Sequence, residues 1–175
     1  MDNTLTFTFV GTDRPGLVDT LSATVAAHGG NWLESRMSEL AGQFAGIVRV
    51  AVEPARAADL RAALQALSQQ QLWVHLADAD SAPAGGPWRA LQLSILGNDR
   101  PGIVHEVAHA LAQRNINVRE MNTSISSAPM SGEPLFGAQA QIQVPATLDL
   151  AELRQQLNHI ADTLTLSIEL EDAPN

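Results

Sequence analysis

The sequence predicts an α+β protein in which one small βαββαβ unit is used twice. Three observations carry that expectation. The string Gly11-Thr12-Asp13-Arg14-Pro15-Gly16-Leu17-Val18 returns 86 residues later as Gly97-Asn98-Asp99-Arg100-Pro101-Gly102-Ile103-Val104, with six of eight positions identical. After each string the apolar pattern passes between strand-like alternation and helical spacing in the same order. Between the copies, residues 77–87 are Ala, Asp, Ser, Pro and Gly without either period, as a linker is.

The elements follow one by one. Residues 5–10 alternate apolar residues with Thr, which suits a strand half buried in a sheet. The Gly-to-Gly turn comes next. Leu17, Val18, Leu21 and Val25 then recur at helical spacing, and Gly29-Gly30 ends that helix. Residues 32–40 and 44–52 are expected strands joined by a turn at Ala41-Gly42. Residues 55–67 form a helix with Leu60, Leu64 and Leu67 on one face, and 72–76 a short last strand. The second copy repeats the series over 91–96, 101–113, 118–126, 136–144, 150–164 and 166–170. An extra loop, residues 127–135, moves the offset from 86 to 92, so that Phe44 aligns with Phe136. Two ferredoxin-like units result, each an antiparallel sheet with both helices on one face. The expected boundaries are 1–78 for the first domain, 79–87 for the linker and 88–175 for the second.

Composition removes several function classes. The chain has no cysteine, no tyrosine and a net charge of −9. All ten basic residues are arginines; residues 1–86 hold five against nine acids, and residues 87–175 five against ten. A DNA reader needs a basic surface to neutralise phosphates, so direct nucleic-acid binding is not expected. Without lysine there is no Schiff base and no phosphate-loop lysine. No apolar run approaches the roughly 18 residues of a membrane span. The start, Met1-Asp2-Asn3-Thr4, is unlike a signal peptide, and a cytoplasmic location is expected.

The repeated turn is the candidate site. Asp13 is expected to cap the first helix by accepting from the Gly16 amide, with Pro15 in the first turn, where its missing N–H costs nothing. Gly16, lacking a Cβ, lets another group approach the backbone. First-turn amides, here those of Arg14, Gly16 and Leu17, lack helical partners and favour a carboxylate. Asp99, Arg100, Pro101, Gly102 and Ile103 repeat the arrangement. The residues alone leave two readings open: an ordinary helix start, or an anion-binding entrance.

Asp-Arg-Pro-Gly followed by Leu/Ile-Val, between the first strand and first helix of a βαββαβ unit, resembles the ACT domain family. A tandem pair filling a chain of this length is similar to the glycine cleavage system repressor family. That resemblance implies a non-enzymatic transcription regulator that binds an amino acid, with glycine the one it suggests, and acts through a protein partner such as a transcription activator. It implies ligand contacts at Asp13, Arg14, Gly16 and Leu17, and at Asp99, Arg100, Gly102 and Ile103. Asn31 and Asn117 are candidate hydrogen-bonding residues or else plain polar turns. No cofactor or metal is expected, and a homodimer would repeat the same turns at more interfaces. A sensing subunit that modulates a metabolic enzyme is the alternative.

A rival signal is His105-Glu106-Val107-Ala108-His109, an H-E-x-x-H match of the kind zinc hydrolases carry on a helix. Its counterpart in the first copy is Asp19-Thr20 and Ala23, so the repeat does not share it. With Val104, Val107, Ala108 and Leu111 as the expected buried face, both histidines fall toward solvent, and only His159 follows as a later histidine. Glu34 and Glu120 match between copies and are expected on solvent-facing strand positions. Trp32, Trp73 and Trp88 are expected in the core or an interface.

Overall fold

In each copy the first strand is the spine to which the other elements attach. The computed structural model describes residues 3–77, 87–129 and 131–173. Strand β1 (Asn3–Thr12) buries Leu5, Phe7 and Phe9 on one face and sets Thr4, Thr6 and Thr8 on the other. Helix α1 (Leu17–Ala27) covers the first of these faces with Leu17, Leu21 and Val25, one residue per turn. Strands β2 (Asn31–Leu40) and β3 (Gln43–Val52) form a hairpin. Helix α2 (Pro54–Ala66), with Pro54 in its first turn, runs into a 3-10 turn (Leu67–Gln70) and then β4 (Leu72–Ala77). The antiparallel sheet order is β2-β3-β1-β4.

The second copy repeats this with β5 (Trp88–Asn98), α3 (Ile103–Ala112), β6 (Asn117–Ser127), β7 (Pro134–Pro145), α4 (Leu150–Leu164) and β8 (Leu166–Asp172), in the order β6-β7-β5-β8. The chain divides into two units, Met1–Ala82 and Pro83–Asn175. Of the expected linker, 79–87, all but Pro87 lies outside the described residues. Each unit has its own core. Fully buried side chains such as Phe7, Leu60 and Leu64 in one, or Leu93, Leu153 and Leu157 in the other, contribute about 1.5–3 kcal/mol apiece.

Several devices recur at matching positions. β2 bulges between Trp32 and Glu34, and β6 between Val118 and Glu120; the extra residue aims Glu34 and Glu120 at the helix-free face. There Glu34 pairs with Arg49 at 3.2 Å. Helix α1 closes on left-handed Gly29 (φ 70°), where the Gly30 amide donates to Val25; α3 closes the same way on Asn115 (φ 55°), where the Ile116 amide donates to Leu111. Gly29-Gly30 against Asn115-Ile116 is therefore one helix terminator written in two ways. The copies differ in the second hairpin, where Ala128 donates to Glu133 and Gly132 to Ala128 across the extra loop; Met130 lies outside the described residues.

Ala41 and Gly42 both have positive φ, 52° and 78°, as a two-residue type I′ turn requires. Alanine tolerates this poorly and asparagine well. Ala41→Asn is therefore expected to stabilise the first copy by about 0.5–1 kcal/mol, raising its thermal midpoint by a few degrees. An unchanged or lower midpoint would contradict this account of the turn.

Candidate functional site

Both helices start later than the sequence pattern suggests. Helical hydrogen bonding begins with Thr20 N–H to Gly16 C=O and Glu106 N–H to Gly102 C=O, each at 2.9 Å. The residue in the N-cap position is Gly16 (φ 92°, ψ 1°) or Gly102 (φ 100°, ψ −13°), with no side-chain cap. The expected Asp13 and Asp99 caps are thus corrected. Asp13 and Asp99 belong to the strand ends: their amides donate to Gly42 C=O and Pro134 C=O, both at 2.9 Å. Pro15 and Pro101 precede the helix instead of occupying its first turn. The physical cause is the pair Pro-Gly. A proline forces the arginine before it out of the helical region, and only glycine enters the left-handed turn that follows without strain.

The later helix start moves the free amides. Those without a helical partner are now Leu17, Val18 and Asp19 in the first copy, and Ile103, Val104 and His105 in the second. Arg14 and Gly16 are not part of the helix. A Cβ built on Gly16 or Gly102 meets nothing within 4 Å, so each entrance is open on the glycine side. Asp13, Arg14, Gly16, Leu17, Val18 and Phe44 surround a shallow depression of about 340 Å³.

The arginines are committed in part elsewhere. Arg14 Nη2 donates to Gln70 C=O at 2.8 Å, and Arg100 Nη2 donates to Thr163 C=O at 3.1 Å. Each arginine ties its turn to the end of the second helix of its copy, just before the last strand. Asn31 and Asn117 sit at the opposite end of their copies, beyond a helix of roughly 16 Å. Asn31 lines a separate depression with Gly29, Glu53 and Arg56. Within its own copy, Asn31 cannot touch a ligand held beside Gly16.

Sequence reasoning missed Phe44, Val18 and Val104. Phe44 lies across the strand pair from Gly11, as Phe136 does from Gly97. An aromatic residue facing a glycine in both copies was the available signal. Val18 and Val104 stay 43% and 45% exposed in the first helical turn, while Leu17 and Ile103 are buried. That also corrects the expected buried face of α3, which is Ile103, Val107, Ala110 and Leu111. Of two adjacent apolar residues in each motif, the one nearer the turn goes inward.

The H-E-x-x-H match has no metal geometry behind it. His105 and His109 are exposed, with ring centroids 6.0 Å apart, and Gln113 Nε2 donates to His109 Nε2 at 2.9 Å. Among the described residues no three His, Cys, Asp or Glu side chains come together as a metal site. Purified protein is expected to carry no stoichiometric zinc; zinc at one per chain, lost in His109→Ala, would overturn this. Among the described residues no helix is long and apolar enough to cross a membrane.

Residues 3–73 match one model of the ACT domain family, and residues 91–136 match another. No curated protein matches the chain in sequence. Among solved structures, an unknown protein from Galdieria sulphuraria is 26% identical with a TM-score of 0.87, over 99% of this chain and 100% of that one. A candidate glycine cleavage system transcriptional repressor is 21% identical with a TM-score of 0.71, over 100% of this chain and 99% of its own. The second likeness is one of fold.

Proposed function

The chain belongs to the ACT domain family, with one such domain in each copy, and from that premise we propose that it is a non-catalytic regulator that binds a small amino acid and acts on a partner protein. The observation that carries the reading is the pair of open helix entrances at Gly16 and Gly102. A ligand carboxylate placed there accepts from the Leu17 and Val18 amides, or from those of Ile103 and Val104, at the positive end of a helix dipole. Asp13, Arg14, Asp99 and Arg100 form the rim. The arginines keep nitrogens beyond the one that holds a backbone carbonyl. Exposed Val18 and Val104 add an apolar edge to each entrance, and within a copy Asn31 and Asn117 lie beyond reach of a ligand held there.

We further infer transcriptional regulation, with glycine as the ligand and a transcription activator as the partner. The acidic charge supports action through a protein, since it opposes contact with DNA phosphates. Two measurements test the proposal. Calorimetry with a panel of amino acids is expected to give saturable heat for glycine or another small member, and no heat from any of them at millimolar concentration would refute it. Affinity purification from the source cells is expected to recover a transcription factor; recovery of a metabolic enzyme alone would replace that part.

A further inference from the structure

The duplication supplies an internal control for the helix-free face of each sheet. In the first copy this face carries an apolar patch, with Ile47 53% exposed and Trp73 54%, beside Val10 and Ala45, next to the polar Thr8, His75 and Arg36. Strand register pairs the four apolar positions with Gln139, Ser167, Leu96 and Gly137 in the second copy. His75 becomes Glu169 in the same alignment. The fold is unchanged, so backbone geometry did not require these differences.

The second sheet carries an open hollow of about 490 Å³ here, within the size range of small-molecule sites, where the first has a smaller depression of about 180 Å³ beside Ile47 and Arg49. The hollow's floor is short, with Ser94, Ser124 and the side-chain-free Gly137, so none of these described residues fills the space above its strands. Its walls are longer, with Gln139, Asn122, Leu96 and Glu169. Gln139 Oε1 accepts from Gln92 Nε2 at 2.9 Å and from Ser94 Oγ at 3.0 Å. Those two bonds engage the carboxamide oxygen and leave its NH₂ group available as a donor. Glu169 is the one charged residue in the lining, and no described residue pairs with it.

We propose that this hollow binds a small hydroxylated amine, of amino-alcohol to amino-sugar size, by pairing its ammonium group with Glu169 and its hydroxyls with Gln139 and the serines. One uncompensated carboxylate amid neutral donors and acceptors selects a cation that also carries hydrogen-bonding groups. A solvated polar face would serve equally well with long side chains, whereas this one is hollowed. The hollow shares no lining residue with the turn at Gly102 and does not depend on the function of that turn.

The test is a titration of the full chain with glucosamine and, separately, with glucose, followed by amide NMR shifts. The expected result is saturable change centred on Ser94, Gln139 and Ser167, about fivefold tighter for glucosamine than for glucose. Glu169→Gln is expected to abolish that preference, and Gln139→Ile, which restores the first-copy residue, to abolish binding, with melting temperatures unchanged. Absence of saturable change at these residues, or equal binding of the two sugars by the unmodified chain, overturns the proposal.

Discussion

Replacing Phe7 with alanine is expected to remove about 3–5 kcal/mol from the stability of the first copy. Phe7 has no exposed surface and lies on the central strand, opposite Val48 on one side and Leu76 on the other. Both helices close over it through the same cluster. A unit of this size has on the order of 4–12 kcal/mol in total, so the loss is a large part of it. Amide exchange should quicken by about 10²–10⁴-fold in β1 and β3 and stay as it was in β5 and β7, because the second unit has a separate core. The equivalent residue is Leu93, also fully buried, and Leu93→Ala should give the mirror result at about 2–5 kcal/mol. Equal quickening in both units from either substitution would show that the cores are not independent.

Gly102→Ala separates a binding glycine from a packing glycine. The new methyl meets no atom within 4 Å, so its structural effect is the strain of φ 100° alone, about 1–2 kcal/mol. Yet the methyl stands beside the free amides of Ile103 and Val104, and amino-acid affinity there should fall at least about tenfold. Gly16→Ala should act likewise in the first copy. Gly132→Ala is the control: φ is 72°, open space surrounds it, and it lies in the extra loop. It should cost similar stability and leave affinity alone. Gly97→Ala belongs to another class, since its Cβ would fall 2.6 Å from Leu166 Cδ2 and 3.0 Å from Thr165 O, and it should destabilise by collision. Affinity that tracks stability across all four variants would remove the turn from the site.

The fold was legible because periodicity and repetition agreed at every level. Thr4, Thr6 and Thr8 alternating with Leu5, Phe7 and Phe9 leave one register for β1, and Gly29-Gly30 can only end a helix. The site was legible as a motif but not in its phase. Asp13 three residues before Gly16 has the spacing of a capping residue, and nothing local reveals that a left-handed glycine takes the cap position instead. The choice between Leu17 and Val18 as the buried residue depends on where that glycine starts the helix. Arg14 reaches Gln70 and Phe44 lies across from Gly11; both are long-range facts that no local pattern carries. Asn31 was joined to the turn by resemblance, and the length of α1 holds the two apart within a copy.

The central claim is that the amides behind Gly16 and Gly102 receive a ligand carboxylate. Amide NMR during titration with glycine addresses it directly. The account predicts saturable downfield movement of the Leu17 and Val18 resonances, of the Ile103 and Val104 resonances, or of both pairs, with glycinamide, which lacks the carboxylate, producing none. Resonances that stay in place through millimolar glycine and the other small amino acids, or that move equally for glycinamide, would contradict it.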